Sequence, residues 1–224
     1  LSVGSIVALG GVVMGLLYRD LGWSIWAASG AALLVGVAAG TFNGLISGYL
    51  KVPPLVVTLA TMALYRGVAM GLSHARPVTD FPAAFLWLGQ GGLFAVPGTG
   101  PAAVPFPVPL LSLAAGFAVG WVVMRRTWVG RFAELMGENS TAARFAAISV
   151  PRLTCALYAG SGLLCGLGSL FHTALYATAK ADAARGMELE VVACVVIGGT
   201  AISGGRGSMT GSLLGLLIVG ILRF

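Results

Sequence analysis

Charged residues are scarce in this chain of 224 amino acids. Asp, Glu, Lys and Arg together make up 9% of it and hydrophobic residues 58%, whereas an ordinary soluble domain carries about 25% charged residues. A soluble domain of this size could not cover its surface with so few charges, and the mean hydropathy is +0.95. The composition therefore predicts an integral membrane protein embedded in a lipid bilayer. The net charge of +6 then bears on membrane orientation, and no nucleic-acid partner is expected.

Side chains that carry catalytic or metal chemistry are also few. Cys155, Cys165 and Cys194 lie in apolar segments without metal-ligand spacing, so we expect small buried residues and no metal site. His74 and His172 lie near predicted outer loops and lack a nucleophile or base partner. A phosphate loop of the form G-x-x-x-x-G-K-S/T is absent. We therefore expect no cofactor and no enzymatic activity.

What the chain does contain is a series of long apolar runs. A membrane-spanning helix needs about 20 such residues, and charges, Pro or Gly bound the runs. The predicted spans are 2–18, 23–50, 56–72, 109–124 and 153–171. The Pro- and Gly-rich stretch 74–107 is expected to be a long loop. We expect an all-α, polytopic transmembrane helix bundle forming a single domain over 1–224, and, because Leu1 already begins an apolar run, a fragment of a longer protein.

Basic residues set the expected orientation. Five arginines cluster in one polar stretch: Arg125, Arg126, Arg131, Arg144 and Arg152. Loops rich in Lys and Arg lie in the cytoplasm, so we expect 125–152 to be a cytoplasmic loop. Counting the spans then puts 74–107 and 172–190 outside and Lys51 inside.

The loop 125–152 contains a predicted helix start. Asn139 or Ser140 can cap a helix, and the alanines that follow favour one. Two short amphipathic pieces, 130–136 and 141–148, would lie across the floor of the bundle. From the residues alone, two interpretations stay open: a solvated basic loop near the lipid headgroups, or a docking site for a cytoplasmic partner.

An ordered set of short motifs extends over nearly the whole chain. They include Gly130-Arg131, Gly137-Glu138-Asn139, Ala142-Ala143-Arg144, Gly186-Met187-Glu188-Leu189, Val195-Val196-Ile197-Gly198-Gly199-Thr200 and Ser203-Gly204-Gly205-Arg206-Gly207-Ser208. Together they resemble the permease subunits of bacterial ABC importers for monosaccharides, such as the ribose, xylose, rhamnose and furanosyl-autoinducer permeases, with more distant branched-chain amino-acid relatives. One departure is Ala147, where members of this family often carry Gly.

The resemblance implies a transport subunit of the bacterial inner membrane. It would form a path for a monosaccharide-like solute, with a deoxysugar or small polyol ranked first, and it would pair with a second permease subunit, identical or different. A periplasmic sugar-binding protein would deliver the solute, and cytoplasmic ATPase subunits would hydrolyse ATP. The implied ATPase-coupling residues are Gly130, Arg131, Glu134, Gly137, Glu138, Asn139, Ala142, Ala143 and Arg144.

The C-terminal apolar stretch is interrupted by five glycines between Gly198 and Gly207 and by Arg206. The stretch 191–199 is too short to cross a bilayer, and 208–222 supplies a second apolar piece. We expect a broken or re-entrant helix pair whose glycine-rich elbow packs at membrane depth. The alternative is that Arg206 marks a cytoplasmic turn between two tilted spans.

Polar groups inside the apolar segments are candidates for the solute path. The candidates for the path or the elbow are Asn43, Thr58, Thr61, Glu188, Gly198, Gly199, Gly204, Gly205, Arg206 and Gly207. Ser and Thr often bond to their own helix instead, so Asn43 is the stronger candidate. Glu188 is expected at the outer face, where it favours a helix N-terminus or contacts the binding protein.

A transporter or channel that works alone is the alternative functional class. A stand-alone secondary transporter or channel for a small polar solute would use intramembrane carboxylates for ion coupling. No Asp or Glu lies in the core of a predicted span before Glu188, which favours the importer subunit.

Overall fold

The computed structural model describes residues 1–96, 104–145, 149–201, 204–205 and 207–222. Within this part of the chain, ten helices and two strands follow one another. They are α1 (Val3–Arg19), α2 (Ile25–Tyr49), α3 (Pro54–Ser73), α4 (Ala83–Gln90), β1 (Gly92–Val96), β2 (Val104–Pro107), α5 (Val108–Arg126), α6 (Trp128–Glu138), α7 (Ser140–Phe145), α8 (Val150–Tyr176), α9 (Met187–Ile197) and α10 (Met209–Leu222).

Four of the described helices, α2, α3, α5 and α8, are long and apolar enough to cross a membrane. They contain 19 to 27 residues, which at 1.5 Å per residue corresponds to roughly 28–40 Å, against about 30 Å for the hydrocarbon core. The helices α1 and α10 are apolar but shorter. The predicted multi-pass helical bundle is therefore confirmed, and the helix ends lie within five residues of the predicted span edges, but the predicted span 2–18 corresponds to α1, which is not among the four membrane-length helices.

Proline and polar caps set the helix boundaries. Pro residues stand in the first turn of α3, α5 and α8, where a missing N–H has no cost. Ser24 caps α2 by accepting a hydrogen bond from the Ala27 N–H. At the far end of α1, the exposed Arg19 Nε donates to Asp20 Oδ1 at 2.6 Å, and this hydrogen bond lowers the pKa of Asp20.

The tightest packing joins the antiparallel helices α2 and α8. Gly36, Gly40 and Gly44 of α2 face the backbone of α8, and a methyl group on Gly40 would overlap the Tyr158 carbonyl and lie 2.9 Å from the Gly162 Cα. Small residues let membrane helices approach this closely, and dispersion contacts then hold them together. This pair forms the scaffold against which α1 and α3 pack.

The long connection predicted as a loop contains secondary structure. The helix α4 buries Phe85 fully, in a cluster with Phe81 and Val78. The strands β1 and β2 form an antiparallel pair with Gly92 opposite Pro107, and with an irregularity between Gly92 and Ala95. We call the end of the bundle that carries α4 the α4 end, and the opposite end, which carries α6, the α6 end.

A non-helical segment, residues 177–186, follows α8 and runs back along α1; we call it the descending segment. It begins at Ala177, where a left-handed backbone conformation (φ 51°) ends α8. Ala179 exchanges two backbone hydrogen bonds of 2.9 Å with Val78. Further along, the Ala184 carbonyl lies against Gly4. The sequence placed these residues in an outer loop, because their charges mask the alanines that pack on α1.

Candidate functional site

The helices α6 and α7 occupy the loop assigned to ATPase coupling. The Asn139 side chain accepts a hydrogen bond of 2.9 Å from the Thr141 N–H, so it caps α7 as the sequence predicted. Of the two predicted amphipathic pieces, 130–136 falls within α6 and 141–145 within α7, whereas 146–148 lie outside the described residues.

The predicted coupling residues divide into exposed and packed groups. Arg131, Glu134, Glu138 and Asn139 are exposed on this surface, whereas Ala143 is 3% exposed. The packed group also includes two glycines. A methyl group on Gly130 would overlap the end of α5, and one on Gly137 would lie 2.5 Å from the Gly205 nitrogen. Ala142 and Arg144 belong to α7, and their side chains lie outside the described part.

The glycine-rich turn between α9 and α10 contacts the end of α6. Gly204 and Gly205 have φ values of 89° and 81°, a region that glycine adopts readily. A methyl group on Gly205 would lie 3.0–3.1 Å from the Glu138 backbone and Cγ. The turn therefore lies at the α6 end, which favours the alternative of a turn on the cytoplasmic side. Arg206 lies outside the described residues.

The predicted broken helix pair is present as α9 and α10. The helix ends at Ile197 and begins again at Met209, and the two arms are in close contact. A methyl group on Gly198 would lie 2.5 Å from the Gly211 carbonyl group, and one on Gly215 would lie 3.0 Å from the Gly198 nitrogen. Glycine thus allows the two arms to pack at backbone distance.

A cavity of about 460 Å³ lies between this turn, α5 and α6. Its polar lining includes Arg125, Glu134, Thr200, Ser208 and Ser212. The loop assigned to coupling and the C-terminal hairpin therefore both line this cavity.

Asn43, Thr58 and Thr61 have all their partners within the bundle. Asn43 is 1% exposed; its Nδ2 donates to Ser2 Oγ at 2.9 Å, and its Oδ1 lies 3.2 Å from the Tyr65 hydroxyl. The hydroxyls of Thr58 and Thr61 donate to carbonyls of their own helix. These contacts favour a packing role over a place on a solute path.

Glu188 does not lie at the α4 end of the bundle, the end that was expected from the sequence to be the outer one. It is in the first turn of α9, but α9 begins beside Gly4, and the Glu188 Oε2 would lie 2.6 Å from a methyl group there. This oxygen is buried without a hydrogen-bond partner, as are Nε and Nη2 of Arg66 in α3. A charge at this depth needs water or a polar partner.

A second cavity, of about 320 Å³, opens where α8 meets the descending segment. Its lining consists of His172, Tyr176, Thr178, Lys180, Asp182 and Ala183. The ring centroids of His172 and Tyr176 are 4.7 Å apart. The stretch 178–183 resembles rhamnose-type or autoinducer-type permeases, but no site residue was predicted in it from the sequence, although alanine alternates with charged residues over 179–182.

The membrane-length helices, joined by a helical loop between two of them, define a multi-pass membrane protein. Residues 1–223 match the family described as "Branched-chain amino acid transport system / permease component". The chain belongs to this family, and it is therefore a permease component of a transport system.

Individual relatives cover the whole chain. It is 34% identical over 223 residues to the ribose import permease protein RbsC of Haemophilus influenzae and 34% identical over 227 residues to RbsC of Escherichia coli K12. It is 32% identical over 232 residues to the autoinducer 2 import system permease protein LsrD of Klebsiella pneumoniae. The chain spans 67%, 67% and 66% of these proteins, respectively. No solved structure matches it at a significant level.

Proposed function

We propose that this chain is a membrane-spanning permease subunit of an ATP-driven ABC importer in the bacterial inner membrane, and that it carries a monosaccharide-like solute. The observation that carries the proposal is the similarity over the full chain to permeases named for ribose and autoinducer 2 import. The four membrane-length helices and the surface helices between α5 and α8 are consistent with that role.

The ATPase subunits dock on α6 and α7 from the cytoplasm. This surface carries Arg131, Glu134 and Glu138 in exposed positions, where charge-assisted hydrogen bonds to a partner can form. Since the chain has no phosphate loop, ATP hydrolysis belongs to that partner.

Motion of the docked ATPase passes from α6 to the C-terminal hairpin. The contact of Gly137 with Gly205 joins the two at backbone distance, and closely packed backbones move together because there is no flexible side chain between them. A displacement of α6 is therefore transmitted to α9 and α10. The solute path lies at the seam with a second permease subunit, and the periplasmic binding protein docks at the α4 end.

Reconstitution tests this function. The permease is placed in proteoliposomes with its partner ATPase and binding protein, and uptake of radiolabelled D-ribose, D-xylose, L-rhamnose and L-leucine is measured. We expect uptake of one of the sugars that requires both ATP and the binding protein. Sugar uptake that an ion gradient drives without the ATPase would support the stand-alone transporter instead, and uptake of L-leucine alone would overturn the sugar assignment.

A further inference from the structure

Alanines and charged residues alternate along the descending segment. Ala179 and Ala181 are 1% and 6% exposed, whereas Lys180 and Asp182 between and after them are exposed. Residues 180–183 form a turn that is closed by a hydrogen bond of 3.1 Å from the Ala183 N–H to the Lys180 carbonyl, and the exposure of each side chain shows which side faces the bundle. One edge of the segment therefore packs on α1, and the other edge, which carries the charges, is open.

The open edge lies far from the α4 end of the bundle, when distance is measured along the axis of α1. Ala179 faces Gly11, and the Ala184 carbonyl lies against Gly4. These glycines lie eight and fifteen residues before Arg19 at the α4 end of α1, which at 1.5 Å per residue corresponds to about 12 and 22 Å. Irregular backbone and charges at such depth do not face lipid; they are buried in protein or line water.

The cavity at this edge presents groups that suit a sugar. The Asp182 carboxylate is a double acceptor, Lys180 is a donor and the Thr178 hydroxyl is both, and no ion pair within 4 Å joins Lys180 to Asp182, so both remain available. The rings of His172 and Tyr176 offer apolar faces to C–H groups. A volume of about 320 Å³ is at the small end of the range for ligand sites, roughly 300–1,000 Å³.

We propose that the open edge of the descending segment and the end of α8 form a binding site on the solute path for a single neutral, polyhydroxylated ring. This inference rests on the proposed function. Vicinal hydroxyls donate to Asp182 and accept from Lys180, and the ring lies against Tyr176. Among the described lining residues, Thr178, Lys180 and Asp182 supply the hydrogen-bonding groups that favour a polyhydroxylated ring over a branched aliphatic side chain. Deeper along the path, the unpartnered Oε2 of Glu188 bonds to water or to the passing solute.

Cysteine accessibility tests whether the edge is water-lined. In the reconstituted importer, with the three native cysteines replaced by alanine, Lys180→Cys and Asp182→Cys are labelled with a membrane-impermeant maleimide. The matched controls are Ala181→Cys, on the packed edge, and Leu164→Cys, which is 62% exposed on an apolar face of α8. We expect labelling at 180 and 182 to be at least about tenfold faster than at 181 and 164. If position 182 is labelled no faster than 164, the proposal is wrong.

The ligand is tested by uptake kinetics in the complete importer. Asp182→Asn removes an ionised acceptor, so we expect KM for the transported sugar to rise about tenfold, the equivalent of about 1.4 kcal/mol. Asp80→Asn, an exposed carboxylate outside the cavity, is the matched control and should leave KM within about twofold. An unchanged KM in Asp182→Asn, or labelling at position 182 that L-leucine slows and the sugar does not, would overturn the site.

The two tests separate this proposal from the proposed function. If no sugar is taken up by the wild-type importer, the sugar function fails, and the sugar assignment of the site fails with it. The labelling pattern still decides whether the edge is water-lined. If a sugar is taken up but position 182 is unreactive, the function stands and the site is wrong.

Discussion

The contact between Gly137 and Gly205 gives the sharpest test of coupling. In Gly137→Ala, the new methyl group would lie 2.5 Å from the Gly205 nitrogen and 2.9 Å from its Cα. Both atoms belong to the backbone, so the turn and α6 must separate, at a cost of about 1–3 kcal/mol for an overpacked site. Because each 1.4 kcal/mol is a factor of ten, the joined state becomes roughly 5 to 150 times less populated.

We therefore expect Gly137→Ala to lower sugar uptake at least about fivefold while the ATPase subunits still hydrolyse ATP. Uptake and phosphate release are measured in the same proteoliposomes, and their ratio reports coupling. The matched control is Gly116→Ala in α5, where no atom lies within 4 Å of the new methyl group, and its ratio should equal that of the wild type. If Gly137→Ala gives the same ratio as Gly116→Ala, this contact does not transmit motion.

Three further predictions follow from particular contacts. Gly40→Val should abolish folded protein in membranes, since even a methyl group overlaps the Tyr158 carbonyl, whereas Gly160→Ala, with nothing within 4 Å, should be neutral; expression in detergent extracts measures both. Asn43→Ala should lower the unfolding temperature through a loss of about 1–2 kcal/mol, with uptake by the folded fraction within about twofold; lost uptake at full stability would instead put Asn43 on the path. Ala143→Pro removes the hydrogen bond from the Ala143 N–H to the Asn139 carbonyl and should reduce ATPase binding in pull-downs, and wild-type uptake with normal ATPase binding would exclude docking at α7.

The membrane helices could be predicted from the sequence because their determinants are local. Proline near the start of α3, α5 and α8 and charges at Arg19-Asp20 and Arg125-Arg126 bound apolar runs of the right length. The break between α9 and α10 could also be predicted, because the apolar stretch 191–199 is too short to cross a bilayer and several glycines follow it.

The elements that were missed depend on tertiary contacts. The helix α4 is only 8 residues long and lies in a Pro- and Gly-rich stretch, and its stability comes from burying Phe85. The descending segment has the composition of a loop, and only the contacts of Ala179 and Ala184 with α1 show its depth. The contact of the glycine-rich turn with α6 could not be predicted for a similar reason, because it depends on Gly137 in a distant part of the chain.

The position of Glu188 changes the argument that separates the two functional classes. In the sequence, no acidic residue lies in a predicted span before Glu188, and this speaks against a stand-alone ion-coupled transporter. In the structure, however, the Glu188 carboxylate lies beside Gly4, about 22 Å along α1 from Arg19. The assignment as a permease component of a transport system therefore rests on family membership. The local charges agree with it, because Lys180, Asp182, Arg185 and Glu188 alternate in sign and sum to zero. Ion pathways use rings of one sign to concentrate the permeant ion. A lining of balanced charge concentrates neither cations nor anions, while its separate donors and acceptors can exchange hydrogen bonds with a neutral solute as it moves.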